Sequence, residues 1–406
     1  MLIKLAWRNL WRNKLRTSIM VGAMVFGLVG VMLMIGFMNG AINSMVQNAI
    51  AYQTSHLQLH HAEYIKDPDL QWIIPADIII AQQLDDNRNI EAWSGRFVVN
   101  GMVASARSSR GVRINGVDRS AEAAVVPIES AITQGQWLGQ DGRHPVVLSE
   151  RLAQRLRLRL GSKVVLTFSD VDGAVSGAAF RVVGLFETPS SAFDDSQIYV
   201  RHHELTALAG KHGWHEMAII LARPDSVTEV IRQLDQAMLA LPVKVRGWRE
   251  IQPVLAAILE QMSVSVGVMI GIFVVAMGFG IINIMLMAVF ERTREFGVLM
   301  AIGMQKQRLF VLIMLETLML SLVGVLSGLS ITYLLMEYLS KHGYSLEAMA
   351  DGLGNMGVNT IIFPYVNNSD YGMVIGAVVV AAFCAALYPA RHILKQHPVD
   401  AMAEKH

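Results

Sequence analysis

The sequence predicts a membrane protein of four transmembrane α-helices, one followed at a distance by three, with a large α+β domain between the first and second spans. Three observations predict it. Four runs carry little or no charge and are each long enough to cross a bilayer. Hydrophobic residues make up 53% of the 406-residue chain and charged ones only 17%, against about 25% in an ordinary soluble domain. The stretch between the first two runs alternates between strand-like and helix-like patterning, as α+β domains do.

The first span is read over 17–42. No Asp, Glu, Lys or Arg occurs between Arg16 and Glu63, and Thr17 to Ala41 is dense in Ile, Val, Leu, Met and Gly. At ~1.5 Å per residue this run exceeds a hydrocarbon core of about 30 Å. A cleaved signal peptide would need a core of about 7–15 residues; this one is longer, and the A-x-A triplet at Ala49 to Ala51 lies well past it. The remaining spans are read over 260–290, 309–337 and 371–390. Gln261 to Phe290 and Tyr371 to Ala390 are uncharged, and Leu309 to Met336 holds only Glu316.

The flanks orient the spans. Lys4, Arg8, Arg12, Lys14 and Arg16 precede the first; Arg292, Arg294, Lys306 and Arg308 fill the connection 291–308; Arg391, Lys395 and Lys405 follow the last. The connection 338–370 offers Lys341 close to a span. Twelve bases against one place 1–16, 291–308 and 391–406 in the cytoplasm and 43–259 and 338–370 outside. Within 1–16, Leu2, Ala6, Trp7, Leu10 and Trp11 recur at helical spacing among Lys4, Arg8, Arg12 and Lys14. That pattern suits an amphipathic helix at the membrane surface, beyond what a basic topogenic start requires.

In the domain 43–259, the alternation at His56 to His60, Lys163 to Phe168 and Phe180 to Phe186 predicts strands. Ser149 opening Glu150 to Leu156 predicts a capped helix, and Val227 to Leu241 an amphipathic one. Cys384, the single cysteine, excludes an intramolecular disulfide and is read as a small buried hydrophobe in the fourth span.

Enzyme chemistry finds no support. The chain lacks G-x-S-x-G, H-E-x-x-H and a phosphate-binding G-x-x-x-x-G-K-[ST]; Gly161-Ser162-Lys163 has the wrong spacing. His56, His60 and His61, or His212 with His215, lack Cys or carboxylate partners at ligand spacing and are read as surface polar residues, with no metal site. The net charge of +1 offers no footprint for nucleic acid.

The connection after the second span reads Glu291-Arg292-Thr293-Arg294-Glu295-Phe296-Gly297-Val298-Leu299-Met300-Ala301-Ile302-Gly303-Met304. It resembles the E-R-x-R-E-I-G-x-L-x-A-x-G-A signature of MacB/FtsX/LolC-type ABC transporter permeases, departing at Phe296 and Met304. Gly135-Gln136-Trp137-Leu138, Pro145 to Ala153, Gly161 to Val164 and Val182 to Phe186 resemble further segments of that family in the same order. So does the ending Tyr388-Pro389-Ala390-Arg391 with Pro398-Val399-Asp400-Ala401-Met402. The domain between the spans then reads as a porter-like part, 43–120 and 213–259, with an inserted subdomain 121–212.

The resemblance implies a non-catalytic permease subunit of the bacterial inner membrane, with both termini cytoplasmic. Its ATP and Mg²⁺ would be bound by a separate cytoplasmic ATPase dimer, this chain holding no cofactor. A second permease chain, identical or homologous, and a periplasmic carrier or adaptor are further expected partners, with membrane lipids around the spans. Glu291, Arg292, Arg294, Glu295, Phe296, Gly297, Leu299 and Gly303 are the expected ATPase-coupling residues. Phe296, Val298, Leu299 and Ile302 would offer an apolar stripe to a groove on the partner. Glu316 is costly in a span and is read as a structural partner in the bundle before a proton or substrate site. Met38, Ile42, Met45, Met262, Val266 and Met269 form an adaptable border facing substrate or lipid. The G-x-x-x-G pairs Gly36/Gly40, Gly267/Gly271 and Gly324/Gly328 allow tight helix packing.

The expected function is ATP-driven mechanotransmission that extracts or exports lipoprotein or another amphiphile from the inner membrane. The alternatives are a non-transporting transmitter acting on a hydrolase or kinase, and MacB-like drug or peptide efflux. Ser169 to Ala179 lacks the Pro-containing loop that recruits a carrier in lipoprotein-releasing members.

Overall fold

The structure is a computed structural model and describes residues 2–75, 77–139 and 142–395. The ending Pro398 to Met402 lies outside them, as does Lys405. The chain divides into two compact units. A helical unit gathers residues 2–41, 260–344 and 362–395; a second unit gathers the described residues of 42–259 and 345–361.

Among the described residues, four helices are long and apolar enough to cross a membrane: Thr17–Thr54, Pro253–Glu291, Lys306–His342 and Asn368–Arg391. They overrun the apolar runs that predict them. No Gly or Pro stands between Ile42 and Asn48 to stop the first helix, and Pro253 opens the second where its missing N–H costs nothing. At the N-terminus the surface helix is shorter than the pattern suggests, Leu2–Leu10. The chain then turns before Lys14, and the Thr17 hydroxyl donates to Leu10 O at 2.5 Å across the turn.

Close packing in the helical unit rests on small residues. A Cβ on Gly324 would lie 3.1 Å from Met24 Sδ, and one on Gly328 3.3 Å from Leu28 Cδ2, so the first and third spans meet nearly backbone to backbone. Gly36 and Gly40 are equally confined, the first by Met336 and the second by the carbonyl of Phe363. Gly267 and Gly271 differ: a Cβ on either would meet nothing within 4 Å. Ala382, Ala385, Ala386 and Ala390 bring the fourth span into a core with Met24, Met285, Phe296, Leu309 and Leu312. Cys384 points the other way and is exposed, correcting its reading as a buried residue. The alanines occupy the inward stripe of that helix, and Cys384 falls between them.

The second unit is built on ten strands: β1 Leu57–His61, β2 Ile90–Ala104, β3 Ser109–Val117, β4 Ile132–Gly135, β5 Pro145–Ser149, β6 Lys163–Ser169, β7 Val175–Phe186, β8 Gln197–Arg201, β9 Glu216–Leu221 and β10 Val243–Gly247. Their order is β10-β1-β9-β2-β3-β8-β5-β7-β4, with β6 joining the far end of β2 to β7. Hydrogen bonding therefore runs unbroken from the part read as porter-like into 121–212, through the parallel β3–β8 pair and the β2–β6 pair.

One core lies between β2, β3, β5, β6 and β7 and helix Glu150–Leu156, with Phe97, Leu148, Leu152 and Phe180 fully buried. Ser149 caps that helix, its Oγ accepting from Leu152 N at 2.9 Å. A second core sets Ile80, Leu84, Val230 and Leu234 of helices Asp77–Asp85 and Val227–Ala237 against Leu57, Leu59 and Ile219. Each such side chain contributes about 1.5–3 kcal/mol on full burial.

The segment Ser169 to Ala179 is a hairpin. Only the turn after Ser169 leaves the ladder, closed by Asp170 Oδ1 accepting from Asp172 N and Ala174 N; Ser169 then faces Val175, and Val165 faces Ala179. Residues 345–361, read from sequence as part of an outward connection, fold into this unit. Asn48 Nδ2 donates to Gly357 O at 2.8 Å and to Asn359 Oδ1 at 3.0 Å, and Ser44 Oγ accepts from Asn359 N.

Candidate coupling site

The connection between the second and third spans forms a helix of its own, Thr293–Ala301. Arg292 leaves helical geometry at φ −111°, ψ 11°, and the buried Thr293 hydroxyl bridges the break by donating to Phe290 O at 2.9 Å. At the other end Gly303 takes φ +100°, Met304 N donates to Leu299 O and Gly303 N to Met300 O, both at 3.0 Å. That is a Schellman stop, which needs glycine at this position and sets Met304 against Leu299. Both side chains pack on the helical core.

The helix is tied to its surroundings by a row of charges. Arg12 Nη2 donates to Glu295 Oε1 at 2.7 Å, and Arg292 Nε to Glu295 Oε2 at 3.1 Å. The Arg292 guanidinium, 5.3 Å above the Phe296 ring, reaches back to Glu316 at 3.2 Å. Asn9 Nδ2 closes the row by donating to Glu316 Oε1 at 2.6 Å. The carboxylate in the span is thereby met by two donors, which offsets the cost of its burial. The hydrogen bond from Arg12 holds the Glu295 carboxyl below its ordinary range, with Arg292 adding to it.

The site residues expected from sequence divide between two roles. Arg292, Glu295 and Glu316 come together, and Glu291 and Arg294 stand exposed. Phe296 and Gly297 are buried and Leu299 half-buried, so they do not extend an apolar stripe toward a partner. This corrects the expectation. A helix of nine residues, about two and a half turns, lying on the bundle must use one face for packing, and Phe296 is on it. Val298 and Ile302 remain exposed, Ile302 at 80%.

The six border residues do not form one surface. Val266 is buried and Met38 and Met269 half-buried in a cluster with Leu28, Met32 and Ile270, so these three fill the bundle. Met262 and Ile42 are half-buried, and Met45 lines a cavity of about 350 Å³ in the second unit with Val254, Leu255, Ile258 and Met356. Asn9 and Arg12 are the members of this candidate site that sequence reasoning missed. Their partners lie about 300 residues away, and the only signal is an amide on the helix face opposite Trp7 and a base just past the helix end.

The histidine reading is corrected at two positions. His60 and His215 are fully buried, stacked on either side of Tyr64 at 5.5 and 5.4 Å. His60 lies 3.8 Å from Glu216, beyond hydrogen-bond reach. His215 Nδ1 accepts from Val98 N at 3.0 Å while Nε2 faces Leu70 O at 3.2 Å, and burial lowers its pKa to about 4. Among the described residues no three His, Cys, Asp or Glu side chains are grouped to hold a metal ion.

Residues 17–237 match the family described as the MacB-like periplasmic core domain, and residues 267–398 match the FtsX-like permease C-terminal family. The chain is 24% identical to an uncharacterized ABC transporter permease of Bacillus subtilis, YknZ, over 47% of this chain and 49% of that protein. It is 23% identical to the uncharacterized ABC transporter permease MJ1507 of Methanocaldococcus jannaschii over 67% of this chain and 65% of that one. It is 29% identical to the pyoverdine export ATP-binding/permease protein PvdT of Pseudomonas fluorescens over 40% and 26%. Each alignment spans less than two thirds of the relative's own length. Among solved structures, the periplasmic region of MacB from Actinobacillus actinomycetemcomitans aligns with a TM-score of 0.36 at 14% identity, over 52% of this chain and 97% of that one.

Proposed function

This chain belongs to the FtsX-like ABC transporter permeases with a MacB-like periplasmic core domain, and on that premise we propose that it serves a complex whose ATP hydrolysis occurs in a separate chain. It is a multi-pass membrane protein with a large α+β domain between its first and second spans. In our reading both termini and 291–308 face the cytoplasm of a bacterial inner membrane. A cytoplasmic ATPase dimer binds ATP and Mg²⁺, and this chain, without a cofactor or catalytic site of its own, pairs with a second permease.

One observation carries the proposal. The helix Thr293–Ala301 sits between two spans, exposes Arg294 and Val298 with Ile302 just past its end, and is anchored through its N-cap Arg292 to Glu316 in the third span and through Glu295 to Arg12. A push on its exposed face is delivered to span 3 and to the N-terminal helix. The work is done on an amphiphile, extracted or exported from the membrane, with a periplasmic carrier or adaptor as a further partner.

Co-expression with the cognate ATPase, purification from membranes and identification of bound lipid or lipoprotein test this. The isolated chain should hydrolyse no ATP. Robust hydrolysis by it alone, or a co-purifying hydrolase or kinase in place of an ATPase, overturns the reading. Sidedness is checked separately. In a Cys384→Ala background, Ser176→Cys should react in intact cells with an impermeant thiol reagent and Gln305→Cys should not. Efflux of a small molecule or peptide is the second reading, favoured because relatives named as exporters of macrolide and pyoverdine align with this chain. Substrate-stimulated ATP turnover with a macrolide, and none with lipoprotein, would select it.

A further inference from the structure

The N-terminal helix Leu2–Leu10 has two faces with different neighbours. Ala6 is fully buried, and Leu2, Leu5 and Leu10 pack on the helical core. From that side Asn9 reaches Glu316, and Arg12, just past the helix end, reaches Glu295. On the other side Ile3, Trp7 and Trp11 are exposed at 62%, 47% and 41%, the two indoles meeting edge to face at 6.0 Å.

In the next helix, Lys14–Asn48, Leu15 and Ile19 are exposed at 74% and 61%. An exposed apolar face on the surface helix is therefore followed, past the turn at 11–13, by exposed apolar residues at the start of the first span's helix. Lys4 and Arg8 flank it, both exposed, and no acidic residue occurs before Glu63. Indoles at headgroup depth beside unopposed bases select an anionic leaflet.

We propose that this helix binds acidic lipid headgroups through Lys4 and Arg8, with Trp7 and Trp11 seated at the interface, and passes the charge of the leaflet to helix Thr293–Ala301 through Arg12 and Asn9. The second half of the proposal rests on the reading of Thr293–Ala301 as the ATPase-coupling helix. The surface helix holds both carboxylates that anchor the coupling helix, Glu295 directly and Glu316 beneath it. A leaflet that draws Lys4 and Arg8 outward moves the donors of Asn9 and Arg12 with them. Acidic lipid thus acts on coupling by shifting where these two hydrogen bonds are made, without touching nucleotide.

The test uses the full chain in vesicles of brominated phosphatidylcholine, with and without brominated phosphatidylglycerol. The fluorescence difference between the parent and Trp7→Phe/Trp11→Phe isolates the two indoles. That difference signal should be quenched more by the acidic lipid, and Lys4→Gln/Arg8→Gln should reduce the preference by about fivefold per removed charge. Equal quenching by both lipids, an unaltered preference in the variant, or shielding from all lipid when the ATPase is added overturns lipid recognition; the last assigns the face to that chain.

In the reconstituted complex, acidic lipid should change ATP turnover at least threefold. Asn9→Ala/Arg12→Ala should abolish that response while keeping the quenching. A turnover indifferent to acidic lipid, with quenching intact, overturns the transmission. If no ATPase associates with the chain, the proposed function fails and the quenching result decides lipid binding by itself.

Discussion

Two networks in this protein use the same four charges, two Arg and two Glu, and do different things with them. In the domain between the spans, Arg96 on β2 binds Glu122 at 2.9 Å and Glu216 on β9 at 2.9 Å, and Arg113 on β3 binds Glu216 at 2.5 Å. Arg96, Glu122 and Glu216 are buried. At the coupling helix, Arg12 and Glu295 are about half exposed and only Arg292 and Glu316 are withdrawn from solvent. Burial by itself would raise the Glu216 carboxyl, yet Arg113 and Arg96 hold it well below its ordinary range. A network this deep cannot shift without stranding a charge, so it fixes the register of three strands. The half-exposed network can exchange partners with water at small cost and is suited to an element that moves.

The largest effect should come from breaking the buried set. Glu216→Ala leaves Arg113 and Arg96 without their shared carboxylate and should destabilise the domain by about 3–5 kcal/mol. Glu295→Ala should cost no more than about 1 kcal/mol. Tryptophan-monitored melting of the full chain in detergent measures both, and equal losses would erase the contrast.

Acid should act on the same core next. His215 has a folded pKa of about 4 against an ordinary 6.5, so the unfolded chain takes up the proton first. Above pH 6.5 the group contributes nothing to pH dependence. From there down to about 4 stability falls by ~1.4 kcal/mol per pH unit. Asp194, raised to about 6 by burial despite Thr188, works in the opposite direction. The difference between parent and His215→Gln cancels that term. It should shrink as pH drops through this window, and a constant difference would show that His215 is not held neutral.

Packing in the helical unit offers a smaller effect. Gly328→Leu drives a side chain onto Leu28 and the Val25 backbone and should cost ~1–3 kcal/mol. Gly267→Leu, with open space around it, should leave the melting of the chain unchanged. A similar loss at both positions would mean that the close contact of spans 1 and 3 is not what the glycines serve.

The smallest expected effect on free energy is the most specific. Arg294→Glu with Ile302→Asp alters only the exposed side of this segment and leaves the ion pairs of Glu295 in place. Melting should stay within about 1 kcal/mol of the parent, while affinity for the ATPase falls at least tenfold, ~1.4 kcal/mol. Gly297 is left untouched because it is buried, and a larger residue there would confound folding with docking. Unchanged affinity would reduce the helix to a connector.

The sequence by itself determined the number of spans, the class of the domain between them and the place of the connection that carries the family's signature. Those properties are written locally: in uncharged runs, in alternation such as Lys163 to Phe168, in the Ser149 cap, and in Gly303, which a Schellman stop requires. It was silent on which side of an element each residue would occupy. Phe296 and Ile302 are equally apolar, and only the neighbouring helices decide that one is buried and the other exposed. His60 and His215 look like surface polar residues until β1 and β9 bring them against Tyr64. Asn9 has no meaning until it meets Glu316, and Glu216 none until Arg96 and Arg113 arrive from two other strands. The physical reason is the same each time. Hydropathy and capping act over a few residues, whereas the pairing of buried charge is settled only when distant segments share one desolvated volume.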